Sequence, residues 1–80
     1  MKFNQLIAKR TRILLKAHGW TQYQLAQRSA LPLSTLSHVL KCKSDAISSE
    51  TLLNICRGFD MPIFDFFNDA LFAPENISDD

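Results

Sequence analysis

The sequence predicts an all-α fold, a single small domain built from five short helices. The chain has 80 residues and only two glycines, and its apolar residues recur three or four positions apart instead of alternating with polar ones. Such spacing is typical of helices that each bury one face. Eighty residues can bury a modest core, but they leave little room for a deep substrate cleft with its own supporting residues.

The first predicted helix runs from about Phe3 to Ala17. Gly19 follows it and suits the left-handed conformation in which many helices end. Seven residues within this range follow the helical spacing: Phe3, Leu6, Ile7, Arg10, Ile13, Leu14 and Ala17.

The second predicted helix begins after Thr21, whose hydroxyl can accept from the first free amides. Gln24, three residues later, can reach back to the Thr21 amide and complete a capping box. We expect this helix to bury Leu25 and Ala26 and to end near Ser29.

The third predicted helix enters through Pro32, whose fixed backbone angle suits a first helical turn. Leu36, Val39 and Leu40 fall at i, i+3 and i+4 and form the buried side. The outward residues are Leu33, Ser34, Ser37, His38 and Lys41. A solvated helix face more often carries acidic and basic pairs at i, i+4. Their absence indicates that this outer face contacts another molecule.

The fourth predicted helix runs from about Ser49 to Arg57, with Ser48 or Ser49 as its cap and Gly58 as its terminator. Its inward residues are Leu52, Leu53 and Cys56.

A fifth predicted helix, IFDFFND, follows Pro62. After Ala73 the segment PENISDD has one apolar residue in seven, which is too few to anchor it on a core. The sequence therefore predicts a domain over residues 1–72 and a flexible acidic tail over residues 73–80.

The two halves of the chain carry opposite charge. Residues 1–43 contain eight Lys or Arg and no Asp or Glu, whereas residues 44–80 contain eight acidic residues and a single basic one, Arg57. The halves thus stand at +8 and −7, although the whole chain stands at +1. A basic half of this kind attracts a polyanion such as nucleic acid, and the acidic half favours solubility.

The residue types argue against an enzyme and against a metal or cofactor site. There is no grouping of Ser, His and carboxylate and no glycine-rich phosphate loop. His18 and His38 lack metal-ligand spacing, and Cys42 and Cys56 form no CxxC motif. We expect two free thiols, no metal, no cofactor and no small-molecule ligand.

The first twenty residues argue against a signal peptide or a membrane span, because basic residues interrupt their apolar positions. These are Lys9, Arg10, Arg12 and Lys16. We expect a soluble protein of the cytoplasm with no membrane partner.

Helices two and three are separated by about three residues, Ala30 to Pro32, which is the tight link of a helix-turn-helix. The stretch GWTQYQLAQRSALPLSTLSHVLKCK resembles the Cro and repressor-type (XRE-like) helix-turn-helix family of bacterial and phage transcription regulators. The matching positions are Gly19, Thr21, Gln22, Leu25, Ala26, Ser29, Ser34, Thr35, Ser37, Leu40 and Lys43. The stretch ETLLNICRGFDMPIFDFF resembles the fourth and fifth helices of that family. The likeness covers about residues 3–70 and implies a compact lambda-repressor-like DNA-binding domain.

Three features depart from the family pattern. Pro32 stands where many members have a capping Ser or Thr. Cys42 stands where Gly is usual, and a positive backbone angle there would cost ~1 kcal/mol. Leu15 and Leu40 jointly replace a buried Arg–Glu ion pair, an exchange that strands no charge. We therefore expect Leu15 to pack against Leu40.

The resemblance implies a sequence-specific regulator of transcription, acting as a repressor on double-stranded DNA. The third helix would enter the major groove, its outer face would contact base edges, and Leu33 could pack on a thymine methyl. Gln22 would bond a phosphate, as would the lysines that follow the third helix. The candidate DNA-binding residues are Gln22, Leu33, Ser34, Thr35, Ser37, His38, Lys41 and Lys43. Arg28 and the basic residues of the first helix are further candidates for phosphate contacts.

The aromatic residues leave two questions open. Trp20 can belong to the core, as the apolar residue of the family does there, or join Tyr23 as a stacking platform. The fifth helix can supply core, a homodimer interface, or the docking face of a protein-binding module such as an antitoxin. The residues considered for the dimer are Phe64, Phe67, Leu71 and Phe72, and those for the docking face are Phe64, Phe66 and Phe67.

Overall fold

The computed structural model describes residues 1–43 and 47–78, and α-helices account for most of them. The helices are α1 (Phe3–His18), α2 (Gln22–Arg28), α3 (Leu33–Leu40), α4 (Ser49–Gly58) and α5 (Ile63–Phe67). Two 3-10 turns follow, Ala70–Phe72 and Pro74–Asn76. No strand occurs in the described residues, and the predicted all-α class with five helices is confirmed.

One hydrophobic cluster joins all five helices. Its buried members are Ile7, Leu14, Leu15, Leu25, Ala26, Leu36, Val39, Leu40, Ile55, Cys56, Phe59 and Phe66. The buried residues predicted for the second and third helices are confirmed. In α4, Cys56 is buried as predicted, but Ile55 is fully buried while Leu52 and Leu53 are only half-buried. The buried part of α4 therefore begins three positions, about one helical turn, further along the chain than its spacing predicted.

The buried side of α1 also differs from the predicted set. Three of the residues that follow the helical spacing are exposed: Phe3, Ile13 and Ala17. Thr11 and Leu15 are buried in their place, because α1 packs against α3 and against the 3-10 turn Ala70–Phe72. Burial of the polar Thr11 is possible because its Oγ1 donates to the Ile7 carbonyl at 2.8 Å.

The helix starts largely follow the sequence. The Thr21 Oγ1 accepts from the Gln24 amide at 3.1 Å, and the Gln24 Oε1 accepts from the Thr21 amide at 2.8 Å. Ser48 caps α4 by accepting from the Thr51 amide at 3.1 Å. The predicted capping box and serine cap are confirmed.

The first four helices end in the same way. In each, the C-cap residue or the residue that follows it adopts a left-handed backbone conformation. Gly19 has φ 68°, as predicted, but Ala30, Cys42 and Asp60 adopt φ values of 54°, 54° and 55°. At each end an amide reaches back five residues to a helix carbonyl, as between Trp20 and Leu15 at 3.0 Å. Cys42 thus adopts the positive φ that carries a cost for a non-glycine residue.

Gly58 does not terminate α4, so the prediction for this glycine was wrong. It is the last helical residue, and Asp60 takes the left-handed position instead. A Cβ built on Gly58 would lie 2.2 Å from the Ser29 Oγ and 3.0 Å from the Leu25 Cδ1. Glycine is therefore needed because α2 and α4 approach each other closely at this point.

The C-terminal segment returns to the start of the chain. The Ser78 amide donates to the Met1 carbonyl at 2.8 Å, and the Met1 ammonium donates to the Asn76 carbonyl at 3.2 Å. The first part of the predicted tail thus forms the turn Pro74–Asn76 against the N-terminus, and residues 79–80 lie outside the described ranges. The flexibility of this tail stays a prediction.

Both cysteines are free thiols, as expected from their spacing. Burial raises the pKa of the Cys56 thiol above its ordinary value, which keeps this group protonated and unreactive at neutral pH. None of the helices in the described ranges is both long and apolar enough to span a bilayer.

Candidate nucleic-acid interface

The link between α2 and α3 is four residues long and has a defined geometry. Ala30 turns left-handed, and the Leu31 amide then donates to the Ala26 carbonyl at 3.0 Å. Leu31 packs against the core cluster and fixes the direction in which the chain leaves α2. Pro32 follows with φ −58° and ψ 141° and leads directly into α3. The two helices contact each other, forming the predicted helix-turn-helix.

The two faces of α3 are chemically distinct. Leu36, Val39 and Leu40 are buried, whereas Leu33, Ser34 and His38 are exposed. Leu33 keeps 45% of its surface exposed although it is apolar. Thr35 and Ser37 are half-buried at the border between the two faces. The structure thus brings five of the predicted site residues together on one short helix.

Pro32 replaces a capping side chain without disturbing the start of α3. The helix has no side-chain cap, but the Pro32 carbonyl accepts from the Thr35 amide at 3.0 Å and from the Leu36 amide at 3.2 Å. The extended ψ of Pro32 is the angle that an ordinary N-cap residue adopts. Pro32 therefore supplies the backbone geometry of an N-cap to α3 without a side-chain cap.

Lys41 and Lys43 extend the site beyond the C-terminal end of α3. Both are exposed, and neither forms an ion pair within residues 1–43 and 47–78. Cys42, which lies between the two lysines in the chain, is half-buried and adopts a left-handed backbone conformation. Both cationic groups are available to a ligand next to the outer face of α3.

Gln22 is the first residue of α2 and is half-buried. Its side chain forms no hydrogen bond within the described part of the chain, unlike that of Gln24, which serves the capping box. The Gln22 amide is therefore free to bind a ligand at the start of α2.

The arginines of the basic half donate hydrogen bonds to backbone carbonyls of other helices. Arg10 donates to the Phe66 carbonyl at 2.8 Å and pairs with Asp69 at 3.3 Å. Arg28 donates to the Gly58 carbonyl at 2.8 Å. These two residues hold α5 and α4, which gives them a structural role that the sequence interpretation did not assign.

Arg12 is the third engaged arginine, and it contacts the candidate site itself. Its Nη2 donates to the carbonyl of Leu40, the last residue of α3. Sequence reasoning missed this contact, since nothing in the local pattern links residues 28 positions apart. The lysines at positions 2, 9 and 16 are exposed.

Trp20 packs against the core cluster, which confirms the apolar role that the family pattern indicates. Its ring stacks on His18 at 4.2 Å and on Phe59 at 5.8 Å between centroids. The guanidinium of Arg28 lies 4.3 Å from the Trp20 ring centre. Tyr23 is exposed, and its hydroxyl accepts from the Gln27 side chain at 3.1 Å.

The aromatic residues of α5 divide between core and surface. Phe66 is fully buried, and Phe67 packs with Phe72 at 4.7 Å and with Phe3 at 5.9 Å between ring centroids. Phe64 is 72% exposed. Of the four residues considered for a dimer, Phe64 alone projects from the surface of the described chain, because Phe67, Leu71 and Phe72 are half-buried.

No cluster of His, Cys, Asp or Glu suited to a metal ion occurs within the described ranges. The site is built instead from hydroxyl, imidazole, amide and ammonium groups on the outer face of α3 and at its two sides. Such groups can hydrogen-bond to base edges and phosphates.

The comparison with family models matches residues 10–69 to the Cro/C1-type HTH DNA-binding domain. The matched region covers three quarters of the chain and includes the whole of α2, α3, α4 and α5. Neither the curated proteins nor the solved structures give a significant match. With the helix-turn-helix geometry and this match, the chain belongs to the Cro/C1-type helix-turn-helix family of DNA-binding domains.

Proposed function

We propose that this protein is a sequence-specific, double-stranded DNA-binding repressor of transcription. The observation that carries the proposal is the outer face of α3, where Leu33, Ser34 and His38 are exposed and no acidic residue is present. In helix-turn-helix proteins the second helix of the motif lies in the major groove. An uncharged, hydrogen-bonding face without carboxylates suits the edges of bases in that groove.

The side chains of α3 divide the recognition among three kinds of base contact. The hydroxyls of Ser34 and Ser37 can donate to or accept from any base. The His38 ring can donate to the acceptors of guanine or adenine. Leu33 offers an apolar surface to a thymine methyl. Thr35, half-buried at the border of the face, supports the same surface.

Phosphate contacts would set the register of this helix in the groove. Gln22 can donate through its amide on one side, and Lys41 and Lys43 can donate on the other. All three side chains are without an ion pair or side-chain hydrogen bond in the described part of the chain. They are therefore available without breaking a contact that stabilises the fold.

A second copy of the chain would complete the reading of an operator. One recognition helix covers only a few base pairs, and two-fold dimers place two of them about 34 Å apart, one turn of DNA. Ile63 and Phe64 of α5 are exposed apolar residues suited to such an interface. A dimer bound across a promoter would block transcription by occupying the site.

Selection from a pool of random duplexes tests this function. The wild-type protein should enrich two related half-sites whose centres lie about 10 base pairs apart. Enrichment of no sequence at moderate salt, by a protein whose melting curve shows that it is folded, would overturn the proposal.

A protein-binding module, such as an antitoxin, is the second candidate. The observation that favours it is Phe64, which is 72% exposed beside the exposed Ile63. In this case a Phe64→Ser variant would lose a protein partner while the α3 variants would keep it. The same selection experiment separates the two candidates, because such a module would enrich no operator.

A further inference from the structure

The last four carbonyl groups of α3 all accept hydrogen bonds, although a helix end leaves such groups without helical partners. Three of them accept from backbone amides that follow in the chain, at 3.0 to 3.2 Å. The Lys41 amide donates to the Ser37 carbonyl, the Cys42 amide to the Val39 carbonyl, and the Lys43 amide to the His38 carbonyl. The fourth carbonyl, on Leu40, accepts from the Arg12 guanidinium of α1. The C-terminal end of α3 therefore depends on a side chain from another helix.

We propose that Arg12 is a positioning residue for DNA recognition, one that fixes the C-terminal end of α3 relative to α1. This inference rests on the proposed function. By holding the Leu40 carbonyl, Arg12 would fix the orientation of Ser37 and His38 toward the bases while Lys43 contacts the DNA backbone. Arg12 needs no contact with DNA to have this effect.

Leu40 is held from two sides. Its side chain is buried in the cluster that also contains Leu15, and its carbonyl is bonded to Arg12. Leu15 and Leu40 are both apolar and buried, so they join α1 and α3 by packing alone. In this protein Leu15 and Leu40 contribute to the apolar packing, whereas Arg12 makes the polar contact between α1 and α3.

The charge of Arg12 strengthens the contact. A guanidinium forms shorter and stronger hydrogen bonds to carbonyls than a neutral donor does. It also lies at the negative end of the α3 dipole, where a cation is favourable. Cys42 adopts a disfavoured left-handed conformation two residues after Leu40, so the chain at this point gains from an additional contact.

The fold offers matched controls for a test. Arg10 and Arg28 also bond backbone carbonyls, but they hold α5 and α4 instead of α3. Lys9 is an exposed cation on α1, and Lys9→Ala removes the same charge from the same helix as Arg12→Ala. Arg12→Lys keeps a charged donor of similar length.

The experiment measures binding to the duplex that the wild-type protein selects and to a scrambled duplex of equal composition. Arg12→Ala should lower the ratio of the two affinities about 3- to 10-fold. Lys9→Ala should leave that ratio unchanged, because even the loss of a phosphate contact would weaken binding to both duplexes alike. Arg12→Lys should restore much of it. In the absence of DNA, hydrogen exchange at the amides of Lys41, Cys42 and Lys43 should be faster in Arg12→Ala than in Lys9→Ala. Melting curves establish that each variant is folded at the temperature of measurement.

Two results would overturn the role of Arg12. One is an unchanged affinity ratio in Arg12→Ala with a salt dependence reduced by about one phosphate contact per chain, which would make Arg12 a plain phosphate ligand. The other is unchanged hydrogen exchange at the end of α3. If the wild-type protein selects no duplex at all, the proposed function fails and this inference fails with it. Selection by the wild type with no effect of Arg12→Ala removes this inference alone.

Discussion

Gly58 lies so close to Ser29 that a Cβ on this glycine would be 2.2 Å from the Ser29 Oγ. The same Oγ is buried and has no hydrogen-bond partner within the described residues. The close approach of α2 and α4 therefore requires a glycine at position 58. It also buries the Ser29 hydroxyl without a hydrogen bond that would offset the loss of contact with water. Both residues can be tested separately and together.

Gly58→Ala should destabilise the protein by ~1–3 kcal/mol, because overpacking outweighs the better helix propensity of alanine. Ser29→Ala should be neutral or stabilising, since it removes a buried polar group without a partner. In the Ser29→Ala background the cost of Gly58→Ala should be smaller. Urea unfolding of all four proteins measures this coupling, and strict additivity would contradict the contact.

Cys42→Gly should raise stability by ~1 kcal/mol, because Cys42 adopts φ 54° at the end of α3. Cys42→Ala is the matched control: it removes the thiol but keeps a Cβ, so it should not produce this gain. Gly19→Ala, at φ 68° in open space, should lose a similar amount. Thermal melts would contradict the argument if Cys42→Gly and Cys42→Ala gave the same midpoint.

Leu15→Arg should destabilise the protein strongly, by ~3 kcal/mol or more, because it places an uncompensated charge at a buried position. Adding Leu40→Glu should recover part of the loss by restoring an ion pair of the family type. Denaturant unfolding of both variants provides the measurement. A Leu15→Arg protein as stable as the wild type would show that residues 15 and 40 do not share a buried contact.

Loss of a phosphate contact and loss of a base contact should differ in kind. Lys41→Ala and Lys43→Ala should weaken binding to every duplex alike and reduce the slope of log affinity against log salt by about 1 per contact in each chain. Ser37→Ala and His38→Ala should leave that slope nearly unchanged and reduce the preference for the selected duplex by ~1–3 kcal/mol. If the α3 variants retain the full preference, the outer face of α3 does not read DNA and the protein-binding candidate is favoured.

Phe64→Ser should weaken binding to a two-fold operator more than binding to a single half-site, because it removes the exposed aromatic ring of α5 without touching α3. Glu75→Ala, also at an exposed position but outside the basic half, controls for a general surface change. Binding titrations and sedimentation of the complexes give the affinity and the stoichiometry. Full affinity for one half-site with one chain bound would contradict the dimer.

Local chemistry could be predicted from the sequence, because the groups involved are neighbours along the chain. Thr21 and Gln24 are three residues apart, so their capping box needs only the first turn of a helix. The faces of α3 follow from helical periodicity, and the family pattern then assigns its outer face to DNA. The helix-turn-helix and most of the candidate site therefore followed from the order of residues.

Packing decided the contacts between distant parts of the chain. Gly58 and Ser29 meet because α2 and α4 lie against each other, and Arg12 meets the Leu40 carbonyl across 28 positions. Periodicity assigns a residue to one side of a helix, but it does not say which neighbour will cover that side. For this reason the exposure of Phe64 and the left-handed conformation of Asp60 are known only from the tertiary structure. The packing of the helices decides which element covers each apolar face and where each helix ends.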